Sequence, residues 1–138
     1  MHPASDREVL SQVEAGHQGK RILIVDDEPF ILKSLSFVLT KEGFQVETAT
    51  NGLEAMDKIQ LKKPDVVFLD IMMPKMNGIE FCQWIRKDAV LRDIYVIILT
   101  ARGQEVDREK GYSIGADEYM TKPFSPAGVV QRIKEILR

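Results

Sequence analysis

Five short apolar runs divide this chain, and a helix-spaced pattern separates each from the next. Arg21-Ile22-Leu23-Ile24-Val25 is a β-branched run that stops at Asp26-Asp27-Glu28-Pro29. Phe30, Ile31, Leu35, Val38 and Leu39 then recur at helical spacing, which predicts a helix ending near Gly43. Residues 44–48 alternate apolar and polar, as a half-buried edge strand does. Asn51-Gly52 turns into a helix carrying Leu53, Met56, Ile59 and Gln60. Val66-Val67-Phe68-Leu69 is apolar throughout and predicts a central strand. A helix with Ile79, Phe81, Cys82 and Ile85 follows Gly78. Tyr95-Val96-Ile97-Ile98-Leu99 is the fourth strand, residues 104–114 a polar helix, and Glu118-Tyr119-Met120 a brief fifth strand. Pro126 opens a last helix with Val129, Val130, Ile133, Ile136 and Leu137 on its inner face.

Apolar strands joined by helix-length crossovers require a parallel sheet covered on both faces. Right-handed crossovers leave few topologies. The expected fold is therefore α/β, a doubly wound five-stranded parallel sheet of the flavodoxin-like (βα)5 kind, with strand order 2-1-3-4-5. Such a sheet opens a crevice beside its first strand, at the carboxyl ends.

Residues 1–19 stand apart. They are polar, with a short apolar cluster at Val9, Leu10 and Val13, and Ser5-Asp6-Arg7-Glu8 matches a capping box. They are expected to be an N-terminal extension, either a tail or a short helix, ahead of one domain spanning residues 20–138. The whole chain has 138 residues, the size of a single domain. A net charge of −2 offers no bulk attraction for nucleic acid. Cys82 is the single cysteine, which excludes an internal disulfide and fits a reducing cytosol. No apolar stretch reaches the roughly 20 residues of a membrane span, and the N-terminus lacks a signal-peptide core. The expected location is the cytoplasm, with no membrane contact.

Chemistry concentrates where strands end. Asp26 and Asp27 follow the first run, Asp70 the third, Thr100 the fourth, and Lys122 precedes Pro123. Each has an ordinary reading: an aspartate pair can cap a helix, Asp70 can shape a turn, and Thr100 and Lys122 can be plain strand and surface residues. Taken together they point elsewhere. Adjacent carboxylates repel unless a cation sits among them, and Mg²⁺ takes oxygen ligands from one or two carboxylates plus water. A carboxylate beside such a cation can act as a nucleophile toward phosphorus. A hydroxyl and an ammonium can then meet the phosphoryl oxygens. Pro123 biases Lys122 toward an extended conformation, and the peptide bond between them can be cis or trans.

Asp26-Asp27, Asp70-x-x-x-Pro74-x-x-x-Gly78, Thr100-Ala101 and Lys122-Pro123-Phe124 resemble the receiver domain of two-component response regulators. The likeness covers residues 20–138. It implies that Asp70 accepts a phosphoryl group from a histidine of a partner kinase or histidine phosphotransfer protein. It implies Mg²⁺ held by Asp27, Asp70 and the backbone carbonyl of Met72, with Asp26 acting through a coordinated water. It gives Thr100 and Lys122 the bound phosphoryl group, and makes Tyr119 the switch aromatic that turns inward with Thr100. The implied readout surface runs from the fourth helix through the fifth strand to the fifth helix, about residues 104–137. There the charges are mixed: Asp107, Arg108, Glu109, Lys110, Asp117, Glu118, Arg132 and Lys134. The implied protein is a signalling switch that catalyses its own phosphorylation and dephosphorylation, rather than a metabolic enzyme.

Two departures qualify the likeness. Met72 is bulky and apolar at a position that influences loss of the phosphoryl group in this family. Gly128 replaces a charged residue that joins an inter-subunit salt bridge in many transcription-factor receivers. Two other readings compete. An aspartyl-phosphate phosphatase of the haloacid-dehalogenase type needs an Asp-x-Asp spacing that Asp26-Asp27-Glu28 lacks. A degenerate receiver that only binds proteins would not need the complete Asp, Thr and Lys set. A stand-alone receiver and the receiver part of a longer regulator both fit, and no output domain is visible.

Overall fold

The computed structural model describes residues 19–70, 78–101 and 115–137. Its elements are β1 (Arg21–Val25), α1 (Pro29–Lys41), β2 (Gln45–Ala49), α2 (Gly52–Leu61), β3 (Val66–Asp70), α3 (Gly78–Lys87), β4 (Tyr95–Ala101), β5 (Glu118–Lys122) and α4 (Pro126–Ile136). The strands form one sheet in the order β2-β1-β3-β4-β5, all pairings parallel. This is the doubly wound fold expected from the sequence. The capping-box segment, the loop carrying Met72 and the helix expected over residues 104–114 lie outside the described residues.

Strand alternation sorts the core into two layers. Leu23, Val25, Val67, Leu69, Val96 and Ile98 pack with Ala55, Ile59, Phe81, Cys82 and Ile85 of α2 and α3. Ile22, Ile24, Val66, Phe68, Ile97 and Leu99 pack with Leu35, Leu39, Val129 and Ile133 of α1 and α4. Phe68 is fully buried in the central strand. Truncating such a phenylalanine to alanine costs about 3–5 kcal/mol.

Local chemistry sets the element ends. Asn51 Oδ1 accepts the Glu54 amide at 2.9 Å and caps α2. Ser125 Oγ accepts the Gly128 amide at 3.2 Å and caps α4, with Pro126 opening the helix. Gly43 closes α1 at φ 99°, a left-handed conformation open to glycine, while Phe44 donates its amide to the Leu39 carbonyl at 3.2 Å.

Three expectations shift. The second strand runs one residue later than its pattern predicts, because Phe44 is spent burying its ring beneath the α1 layer. The fourth and fifth strands each extend two residues beyond their apolar runs, so Thr100 and Lys122 sit inside strand ends rather than after them. Phe30 and Leu53, counted among the apolar positions of their helices, are exposed. Helical phase explains both: Ile31 and Leu35 take the inner face of α1, and Ala55 and Ile59 that of α2.

Candidate phosphoacceptor site

Parity brings the acidic residues and the lysine together. Asp26 extends the inward row of Ile22 and Ile24, and its amide still donates to the Ala49 carbonyl at 3.0 Å. Asp70 extends the row of Val66 and Phe68. Lys122 extends that of Met120. All three therefore rise on the α1 and α4 side of the sheet at its carboxyl end. One oxygen from each of Asp26, Asp27 and Asp70 falls within 4.8 Å of the others. Asp26 and Asp70 are buried, and Asp27 is exposed.

Lys122 enters this cluster from β5. Its Nζ lies 2.8 Å from Asp26 Oδ2, 2.8 Å from Glu28 Oε1 and 3.7 Å from Asp70 Oδ2. Both 2.8 Å contacts are charge-assisted, and the one to Glu28 has hydrogen-bond geometry. Burial pulls the Lys122 pKa down, but the carboxylates of Asp26 and Glu28, with Asp70 behind them, hold it well above the ordinary lysine value. The ammonium is charged at any physiological pH. The Lys122–Pro123 bond is cis.

Thr100 has the opposite parity. It follows Val96 and Ile98, on the side of α2 and α3, and pairs with Thr121 across the ladder. Its Oγ1 is buried with no hydrogen-bond partner among the described residues. Tyr119 lies on the same face, paired with Ile98 and 8% exposed, so it is more buried than the half-buried strand tyrosine allowed by propensity.

The donor set fits a hard cation. It is all oxygen, clustered, and contributed by two buried carboxylates and one exposed one, which suits Mg²⁺ better than a thiolate- or imidazole-seeking metal. Thr100 Oγ1 is a buried hydroxyl without a hydrogen-bond partner among the described residues, and such groups in native proteins call for an explanation.

The sequence pattern of the response regulator receiver domain matches residues 22–134. The chain belongs to that family. The receiver domain is 46% identical over 119 residues to the alkaline phosphatase synthesis transcriptional regulatory protein PhoP of Bacillus subtilis, a match covering 86% of this chain and 49% of that protein. It is 44% identical over 119 residues to the phosphate regulon transcriptional regulatory protein PhoB of Escherichia coli, covering 86% of this chain and 52% of PhoB. The chain thus spans about half the length of these relatives. Among solved structures, a putative response regulator from Chloroflexus aurantiacus superposes with a TM-score of 0.80 at 33% identity, covering 86% of this chain and 97% of that one.

Glu28 is the residue that sequence reading undervalues in this receiver domain. It counts in the sequence as a third acid beside Asp26 and Asp27, yet its carboxylate reaches across 94 positions to Lys122. The signal is present: a run of three acids at one strand end faces a single lysine at another. Of the charges on the expected readout surface, several are spent inside the domain. Arg132 pairs with Glu118 at 2.6 Å, Arg86 with Asp117 at 2.6 Å and Lys134 with Glu42 at 2.6 Å. Asp107, Arg108, Glu109 and Lys110 lie outside the described residues. No described helix is long and apolar enough to cross a membrane.

Proposed function

We propose that residues 20–138, preceded by the extension of residues 1–19, accept a phosphoryl group on Asp70 from a phosphohistidine and thereby switch the domain's contacts. The single observation that carries this is the placement of Asp70 among Asp26, Asp27 and the Lys122 ammonium, with an unpartnered Thr100 hydroxyl at the neighbouring strand end. An Asp70 carboxylate oxygen bonds to phosphorus while the phosphorus–nitrogen bond of the donor breaks and its electron pair returns to the imidazole. Lys122 offers a fixed positive charge to the phosphoryl oxygens, and the Thr100 hydroxyl donates a hydrogen bond to one of them. Asp26, Asp27 and Asp70, with the backbone carbonyl of Met72, would hold Mg²⁺, which when bound offsets the negative charge of the phosphoryl group.

Phosphorylation adds about −1.5 to −2 charges at Asp70. That charge draws Thr100 and Lys122 inward. Thr100 and Tyr119 lie on one face of neighbouring strands, two register positions apart, so movement of the first opens or closes space for the second. The surface they alter runs through residues 104–114, β5 and α4, and its target is a protein or an attached output domain. The donor is a histidine kinase or histidine phosphotransfer protein, and the domain works in the cytoplasm without direct contact to nucleic acid. The later loss of phosphate by water attack on phosphorus returns the carboxylate. If an apolar residue at position 72 slows that step, Met72→Asn is expected to speed the decay; an unchanged rate would remove that role.

The test is intact mass after treatment with acetyl phosphate, with and without Mg²⁺. One Mg²⁺-dependent adduct, labile to hydroxylamine and missing from Asp70→Asn, is expected. A protein that forms no adduct and binds neither Mg²⁺ nor beryllofluoride would instead be a binding module.

A further inference from the structure

We propose that Glu28 is a positioning residue that latches the Lys122 ammonium on the β1 side of the site until a phosphoryl group competes for it. The proposal rests on the phosphoacceptor reading of Asp70.

Glu28 occupies the N-cap of α1, where a side chain usually turns back to the free amides of the first turn. Its side chain makes no capping hydrogen bond. The carboxylate is turned outward instead, onto the ammonium of Lys122, at 2.8 Å. Backbone bonds fix its base: the Glu28 amide donates to Asp26 Oδ1 at 2.9 Å, and its carbonyl accepts from Leu32 at 3.2 Å. The arm therefore swings from a rigid corner. Asp26 grips the same ammonium, and Asp70 stands 0.9 Å farther from it than either, at 3.7 Å against 2.8 Å.

Lys122 is only 13% exposed on its side chain, whereas Glu28 is 56% exposed. The buried partner has little freedom to turn elsewhere, and the exposed one can let go into water at low cost. That asymmetry makes Glu28 the releasable half of the pair. When phosphoryl oxygens arrive at Asp70, the ammonium gains stronger acceptors on that side and the Glu28 carboxylate swings back to solvent. Without phosphate, Glu28 opposes a lysine already committed to Asp70 and biases the domain toward its resting arrangement.

The experiment uses beryllofluoride as the phosphoryl mimic at saturating Mg²⁺, with ¹⁹F resonances reporting the bound adduct, in the full chain. Glu28→Gln keeps the shape and removes the charge. It is expected to bind beryllofluoride about two- to fivefold more tightly, the weight of a half-exposed ion pair. Glu28→Asp keeps the charge but falls one methylene short of Lys122, and is expected to tighten binding comparably. Unchanged or weaker binding by Glu28→Gln, with the wild type binding normally, overturns the latch alone. Tightening by Glu28→Gln with Glu28→Asp matching the wild type overturns it too, because the charge would then act through its field and not through contact. A wild type that forms no adduct at millimolar beryllofluoride overturns the phosphoacceptor reading and the latch with it.

Discussion

The two ends of the sheet handle their aspartates in opposite ways. At the amino end, Asp65 accepts the Arg21 amide at 2.8 Å, and Asp117 accepts the Val96 amide at 2.8 Å and the Arg86 guanidinium at 2.6 Å. Arg86 completes that network by donating to the carbonyls of Gly115 at 2.7 Å, Arg92 at 2.6 Å and Ile94 at 2.7 Å. At the carboxyl end, Asp26, Asp27 and Asp70 crowd together, with the Lys122 ammonium beside Asp26 and Asp70, and Thr100 Oγ1 has no hydrogen-bond partner among the described residues. A polar group that is fully satisfied rigidifies a fold, and a buried one left short calls for an explanation. On the proposed reading, the same residue type serves structure at one end and chemistry at the other.

Breaking the amino-end network should show the largest effect. Arg86→Met takes the cation from Asp117, which keeps the Val96 amide, and strands three carbonyls; it is expected to cost about 2–3 kcal/mol in urea unfolding, less than a fully buried pair because both partners are partly exposed. Gly115 takes φ 110°, and a Cβ there would sit 2.6 Å from Arg86 Cγ, so Gly115→Ala should destabilise the same corner. Neither substitution touches Asp70, so the folded variants should still form the phosphoryl adduct.

The carboxyl end should respond with the opposite sign. Thr100→Val removes a buried hydroxyl that has no partner among the described residues, and is expected to raise stability by about 1 kcal/mol while weakening beryllofluoride binding. A loss of stability would mean that this hydroxyl is satisfied after all, and the contrast between the ends would fail at that position.

Both ends are legible in the sequence, to different degrees. An aspartate just after an apolar run in a parallel sheet must emerge at the carboxyl edge, so the order of residues alone puts Asp26 and Asp70 there. Strand parity is equally readable, and it explains why Asp26, Asp70 and Lys122 meet on one side. The Arg86 network is hidden, because it depends on α3 turning a guanidinium toward carbonyls of two loops that carry no pattern. The Glu28 contact is hidden for a related reason: an acid at an N-cap reads as a helix cap, and only its tertiary partner shows otherwise. Phe30 and Leu53 mislead because apolar character without helical phase does not say which way a side chain faces.

Smaller effects sharpen the contrast. Gly128 is exposed in the first turn of α4, and a Cβ would meet only Ser125 atoms at 3.6 Å and 3.8 Å. Gly128→Ala is expected to raise stability by up to about 0.8–1.0 kcal/mol, read as a higher thermal midpoint, without changing the site. Cys82 lies beneath the Arg86 network, where burial pushes its thiol up to about 11 from an ordinary 9.0, Arg86 pulling it down and Asp117 raising it further. The folded state therefore holds this proton more tightly than the unfolded chain. Its contribution is complete below pH 9.0 and is lost as pH rises through about 11, so stability should fall across that window. At a pH of about 8 the thiol should resist an aromatic disulfide reagent when folded and react fully in denaturant.

The account turns on the carboxyl end being built short of a cation. Thermal unfolding with and without millimolar Mg²⁺, at matched ionic strength, reads that directly. A ligand bound only by the folded state stabilises it by about 2.7 kcal/mol at a concentration one hundredfold above its Kd. The midpoint of the wild type should rise with Mg²⁺, and that of Asp70→Asn should rise much less. A wild-type midpoint that does not move would contradict the claim that Asp26, Asp27 and Asp70 form a cation site.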